Sequence, residues 1–124
     1  MTFPAVTEQA GQLHKSVSVV LDGTGYGVCE FTPENARQRW EVTSVVVSTT
    51  QAQNVAPYPV AEVFVNDVSS AGNSQGATWT GNQDTFTGTV DVGPCDNLSV
   101  VFSGGIAGTV ATARLGGTKY TRRT

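Results

Sequence analysis

The run Arg37 to Thr49, RQRWEVTSVVVST, is the longest strand-like stretch of the chain, and its reading decides the fold. Trp40, Val42 and Val46 fall on one face of an extended chain, with Arg39, Glu41 and Thr43 on the other. That is the period-two alternation of a half-buried strand. The β-branched Val and Thr residues that fill the run suit a pleated surface better than a helix. Val45 to Val47 are three consecutive valines, so both faces are apolar there and alternation does not choose between them.

The same period recurs on either side. Lys15 to Leu21 (KSVSVVL) sets Val17 and Val19 against Ser16 and Ser18 and stops at Asp22-Gly23-Thr24-Gly25. Tyr26 to Phe31 follows, closed by Thr32-Pro33-Glu34-Asn35-Ala36, where Pro33 would fit the first position of a single helical turn. After the Pro-containing loop TQAQNVAPYP come Val60 to Asn66 and a Ser/Gly/Asn-rich loop from Asp67 to Gly76. Thr85 to Val92 alternates with Phe86, Val90 and Val92 inward. Leu98, Val100 and Phe102 then alternate with Ser99 and Ser103, and the corner SGGIAGT leads into Val110 to Leu115. About eight short strands separated by turn residues, with no convincing helix, predict an all-β protein. The expected architecture is an antiparallel β-sandwich, wired as a jelly roll or an immunoglobulin-like Greek key.

Composition agrees. The chain has 124 residues, 39% of them hydrophobic and 14% charged, with 14 glycines. That is one domain's worth of material with enough apolar residues for a core. Residues 1–12 show no period and read as an N-terminal arm. Residues 13–118 are expected to form the sandwich, and 119–124 a basic C-terminal tail. No apolar run approaches the roughly 20 residues of a membrane helix. The start, Met1-Thr2-Phe3-Pro4-Ala5, lacks the basic-then-apolar pattern of a signal peptide.

The formal net charge is −3 and unevenly spread. After Arg39 no Lys or Arg occurs until Arg114, while Glu41, Glu62, Asp67, Asp84, Asp91 and Asp96 lie between. Arg114, Lys119, Arg122 and Arg123 crowd the end. Such a tail reads either as a solvated terminus or as a positive strand that docks on a negative neighbour, a second copy included. Four cations on an otherwise acidic chain do not suit nucleic acid. Cys29 and Cys95 are too far apart in sequence for a zinc pattern; they read either as one long-loop disulfide, in an oxidising space, or as reduced, mostly buried thiols, and the second is the expectation.

Catalytic chemistry finds little support. His14 is the single histidine and reads as a surface residue, and a Cys29–His14 pair lacks a third group to orient it. No catalytic or metal motif is present, and no cofactor or metal is expected. Gly23-Thr24-Gly25-Tyr26-Gly27 is spaced like a phosphate loop, but a strand pattern follows where a helix is required, so it reads as a hairpin turn. Gly104 to Gly108 reads likewise as a wide hairpin. Asp67, Asn73, Asn82 and Asp84 carry loop oxygens for calcium, in a spacing that matches no EF-hand. Trp79, Tyr58 and Tyr26 fall in or beside loops, where aromatic faces could bind a glycan or simply plug the sandwich.

Trp79-Thr80-Gly81-Asn82-Gln83-Asp84, the strand and corner Leu98 to Gly108, and the closing strand Ala111 to Thr118 carry a resemblance, joined by Arg39-Trp40-Glu41-Val42. Over residues 38–123 the chain resembles the small β-sandwich virion proteins of tailed phages of high-GC Gram-positive bacteria. The resemblance implies a non-enzymatic structural component acting by protein–protein contact. It would be a minor tail or tail-tip protein, or a capsid decoration (cement) protein. It further implies assembly in the host bacterial cytoplasm, location in the virion, other virion proteins as partners and a homo-oligomer, a trimer foremost. No membrane or nucleic-acid partner is expected. Phe3 on the arm and Lys119, Arg122 and Arg123 on the tail are the expected interface residues, since extended termini can add to a neighbour's sheet. The alternative is a carbohydrate-binding module for host cell-surface glycans, using Trp79, Tyr58 and Tyr26.

Overall fold

A computed structural model of the chain describes residues 7–52, 55–66, 73–75 and 83–123, and within the strands the side chains of 7, 73–75, 83, 84, 86, 87 and 123 stand outside that description. Eight strands are described: β1 (Thr7–Val20), β2 (Gly27–Phe31), β3 (Gln38–Thr49), β4 (Val60–Val65), β5 (Asn73–Gln75), β6 (Gln83–Val92), β7 (Leu98–Ser103) and β8 (Val110–Arg123). They form two four-stranded sheets, ordered β1-β8-β3-β6 and β2-β7-β4-β5. Every pairing is antiparallel. This is a β-sandwich, and the order of its strands is that of a jelly roll.

The wiring corrects the two hairpin expectations. β1 and β2 lie in different sheets, as do β7 and β8, so Asp22 to Tyr26 and Gly104 to Thr109 carry the chain across the sandwich. Among consecutive strands only β4 and β5 pair with each other. β5 itself arises inside the stretch expected to be a loop. Thr32 to Arg37 holds turns and no helix.

β3 has neighbours on both sides and organises its sheet. Trp40 and Val42 point into the core as expected, but the next inward residues are Val45 and Val47, not Val46. The pairing shifts between Val42 and Ser44 against both β6 and β8. Against β8 a bulge at Thr43 inserts one β3 residue and reverses the parity of everything after it, whereas against β6 the extra residue lies on β6, at Gly88 and Thr89. Opposite this bulge stand Gly116 and Gly117 of β8.

The arm and tail are corrected too. Thr7 to Gln12 belong to β1 and pair residue by residue with Thr118 to Arg123 of β8. Among the described residues the sandwich thus runs from Thr7 to Arg123, and residues 7–12 partner residues 118–123. Phe3 lies outside the described residues.

Between the sheets, Leu13, Leu21, Cys29, Trp40, Val92, Leu98, Val100, Phe102 and Leu115 are among the buried core side chains. Each such aliphatic or aromatic group contributes about 1.5–3 kcal/mol by leaving water. The buried Trp40 indole donates to Gln38 Oε1 at 2.9 Å, so its polar edge is satisfied inside the core.

Candidate functional site

Two surfaces at opposite ends of the sandwich gather functional side chains. The first is built where the start of β1, the end of β8 and the start of β3 meet. Register sets Glu8 opposite Arg122 and Ala10 opposite Tyr120, which in turn faces Arg39. The Arg39 guanidinium donates to both Glu8 carboxylate oxygens, Nε to Oε2 at 2.8 Å and Nη2 to Oε1 at 2.9 Å. It also lies 4.1 Å from the centroid of the Tyr120 ring. This forked, stacked geometry is one that arginine, and not lysine, can make. Hydrogen bonding to Arg39 holds the Glu8 carboxyl below its ordinary range.

The Arg122 amide donates to the Arg37 carbonyl at 2.8 Å, tying the end of β8 to the turn before β3. Arg37 and Arg122, with Glu8, Arg39, Ala36 and Pro94, line a cleft of about 360 Å³. Arg39 is neutralised by Glu8, whereas Arg37 and Arg122 form no ion pair among the described residues. The cleft mouth is therefore net positive. Nearby, Lys15 bonds Glu34 at 2.8 Å. The expected interface residues Lys119 and Arg122 thus sit on a paired strand and not on a free tail. Arg123 occupies the last position of β8, opposite Thr7.

The second surface is formed by the connections β1–β2, β3–β4 and β7–β8. The Gln51 side chain, itself buried, donates to the Val55 carbonyl at 3.2 Å and the Pro57 carbonyl at 3.0 Å, and its Oε1 accepts from the Ile106 amide at 3.5 Å. One side chain thereby pins two loops. The Asp22 carboxylate accepts from the Thr24 amide and hydroxyl and the Tyr26 amide, which closes the first turn and holds its carboxyl below the ordinary range. At this end Tyr26 and Tyr58 stay 43% and 40% exposed, and Val20, Val55 and Val60 are exposed as well. The Tyr58 backbone abuts Gly104, and Gly105 bonds Gly25, so the two tyrosines flank the glycine corner from either side. Trp79, the third aromatic of the glycan reading, lies outside the described residues.

Other candidates are kept apart. His14 is exposed on β1, while the Cys29 thiol points into the core and donates to the Val17 carbonyl at 3.4 Å. Cys95 is exposed, against the expectation that both thiols are mostly buried, and neither cysteine is in a disulfide. Asp67 and Asn82 fall outside the described residues, as do the side chains of Asn73 and Asp84. Among the described residues no three His, Cys, Asp or Glu side chains are grouped to hold a metal. No helix there is long and apolar enough to cross a membrane.

Sequence reasoning missed the Glu8–Arg39–Tyr120 cluster and the Gln51 staple. The i, i+2 spacing of Arg37 and Arg39 was a partial signal, since it points both side chains to the same side of an extended chain. Glu8 and Tyr120 come from opposite ends of the sequence and gave none. Compared with known proteins, the chain matches no family model, and no curated protein or solved structure is significantly similar to it.

Proposed function

We propose that the protein is a non-enzymatic structural component of a tailed-phage virion, a jelly-roll subunit that works by protein–protein contact. The observation that carries this reading is the loop end, where Gln51 and Asp22 tie the connections by hydrogen bonds and Tyr26, Tyr58, Val55 and Val60 stand exposed. Large apolar side chains kept exposed on a fixed frame suit an interface, because little ordering entropy remains to be lost on docking. The resemblance over residues 38–123 supplies the class of particle, and the jelly roll is an architecture found in viral capsid and lectin domains alike. A minor tail or tail-tip position comes first and capsid decoration second. Mass spectrometry and immunogold labelling of purified particles test the proposal: the chain is expected in fixed stoichiometry in the particle, and its absence overturns the reading.

A second reading, recognition of host cell-surface glycans, has a specific observation in its favour. Tyr26 and Tyr58 are solvent-facing aromatics at one loop end, as a sugar-stacking platform requires. Isothermal titration with host cell-wall polysaccharide tests it. Binding that is lost in Tyr26→Ala and Tyr58→Ala would favour this reading, and no binding would leave the architectural one.

A further inference from the structure

The two sheets turn different surfaces outward. On the β1-β8-β3-β6 sheet, Ser16, Ser18, Thr112 and Ser48 face away from the core, and the Ser18 and Thr112 hydroxyls bond each other at 2.8 Å. On the other sheet, Gly27, Cys29 and Phe31 point inward, leaving Val28 and Glu30 outward. Val28 is set opposite Val101, and Val101 opposite Glu62. Val28 on the edge strand β2 and Val101 on β7 are half-buried on this outer face in one row with Glu62. Tyr26 and Val60 lie toward its loop end, and in the next row Glu30 is exposed while Ser99 and Phe64 are buried.

Charge separates the sheets further. The cation-free interval between Arg39 and Arg114 contains β4, β5 and β7, together with β6 of the opposite sheet, and β2 carries no Lys or Arg either. Every lysine and arginine of the chain lies on β1, β3 or β8, or immediately before β3 at Arg37. The strands of the β2-β7-β4-β5 sheet therefore carry no cation at all.

We propose that the outer face of the β2-β7-β4-β5 sheet docks onto the Arg37–Arg122 end of a second copy of this chain. The inference rests on reading the chain as an assembly protein, and it names the partner and both patches. Two such faces meeting symmetrically would bring Glu30 and Glu62 against carboxylates with no cation between them, an arrangement that costs binding energy. The surface that complements them is on the same molecule: Arg37 and Arg122, free of ion pairs among the described residues, around the 360 Å³ cleft. Because the two patches differ, the contact is head-to-tail. It closes into a ring where the rotation allows and otherwise propagates.

The test is sedimentation velocity on the full chain and two charge-reversed variants, Glu30→Arg/Glu62→Arg and Arg37→Glu/Arg122→Glu. The wild type is expected to self-associate, and more weakly as salt rises from about 0.01 M to about 1 M and the screening length falls from about 30 Å to about 3 Å. Each variant alone is expected to raise the dissociation constant about tenfold or more. An equimolar mixture of the two restores association, since each then offers the sign that the other needs. A monomeric wild type overturns the inference, as does a variant that associates normally or a mixture that does not recover. Should a variant fail to fold, the salt series on the wild type still decides: association that is absent, or indifferent to salt, overturns it. A chain that is monomeric yet present in purified particles would sink this inference alone, whereas an oligomer absent from particles would sink the virion reading alone.

Discussion

Gly117 stands where a side chain does not fit. Its φ is 154°, and a Cβ there would run into the Glu41 carbonyl and lie 3.0 Å from the Thr43 amide nitrogen, backbone atoms that cannot swing aside. Gly108 also has a positive φ, 83°, but nothing lies within 4 Å of where its Cβ would be. The two separate steric conflict from conformational strain. Gly108→Ala should cost about 1 kcal/mol, and Gly117→Ala about 3 kcal/mol or more. In thermal melts that is a fall of roughly 10 °C or more for Gly117→Ala against about 5 °C for Gly108→Ala. Equal falls would mean that the bulge opposite Gly117 does not demand glycine. The cysteines differ as sharply. Burial pushes the Cys29 thiol up to about 11, whereas Cys95 is exposed. A thiolate-specific reagent at neutral pH should label one thiol quickly and the second only in denaturant, with the fast phase gone in Cys95→Ser. Two fast thiols, or none until reductant is added, would contradict this placement.

At the scale of the element, β3 shows how far sequence reading reaches. Alternation finds the strand and places Trp40 and Val42 correctly, because a side chain's parity follows from its neighbours. It puts Val46 inward, and the structure puts Val45 and Val47 there. The cause lies on β8, where Gly116 and Gly117 face the bulge from some 70 residues away in the sequence. Val45→Thr and Val47→Thr should each cost about 1–3 kcal/mol, since a hydroxyl enters the core without a partner. Val46→Thr should stay within about 0.5 kcal/mol. Denaturant midpoints measure all three, and a costly Val46→Thr with harmless neighbours would restore simple alternation. The other misreadings share this non-local origin. Residues 7–12 look structureless alone and become strand because residues 118–123 pair with them. The glycine turns were legible as reversals, but a turn's own residues do not say which sheet the chain enters next.

For the whole molecule, the all-β sandwich was legible in pattern and turn chemistry, and the cation-free interval was visible as a sequence feature. Its meaning was not, since only the strand order shows that β4, β5 and β7 of that interval join the cation-free β2 in one sheet, while β6 goes to the other. The site was legible in part: Tyr26 and Tyr58 are exposed as the glycan reading requires, while Lys119 and Arg122 sit on a paired strand. Jelly-roll wiring is what brings the first and last strands side by side, and with them Glu8, Arg39 and Arg122 into one cleft. The same wiring leaves an apolar, acid-bordered sheet on the far side. A molecule with such distinct surfaces is suited to repeated contacts of one kind. The most direct measurement of that claim is a cryo-EM map of the virion proposed to contain the protein. Density for a jelly roll repeated at symmetry-related positions is expected, with its β2-β7-β4-β5 face covered by a neighbour. A map with no such density, or one in which that face stands open to solvent at every copy, would contradict it.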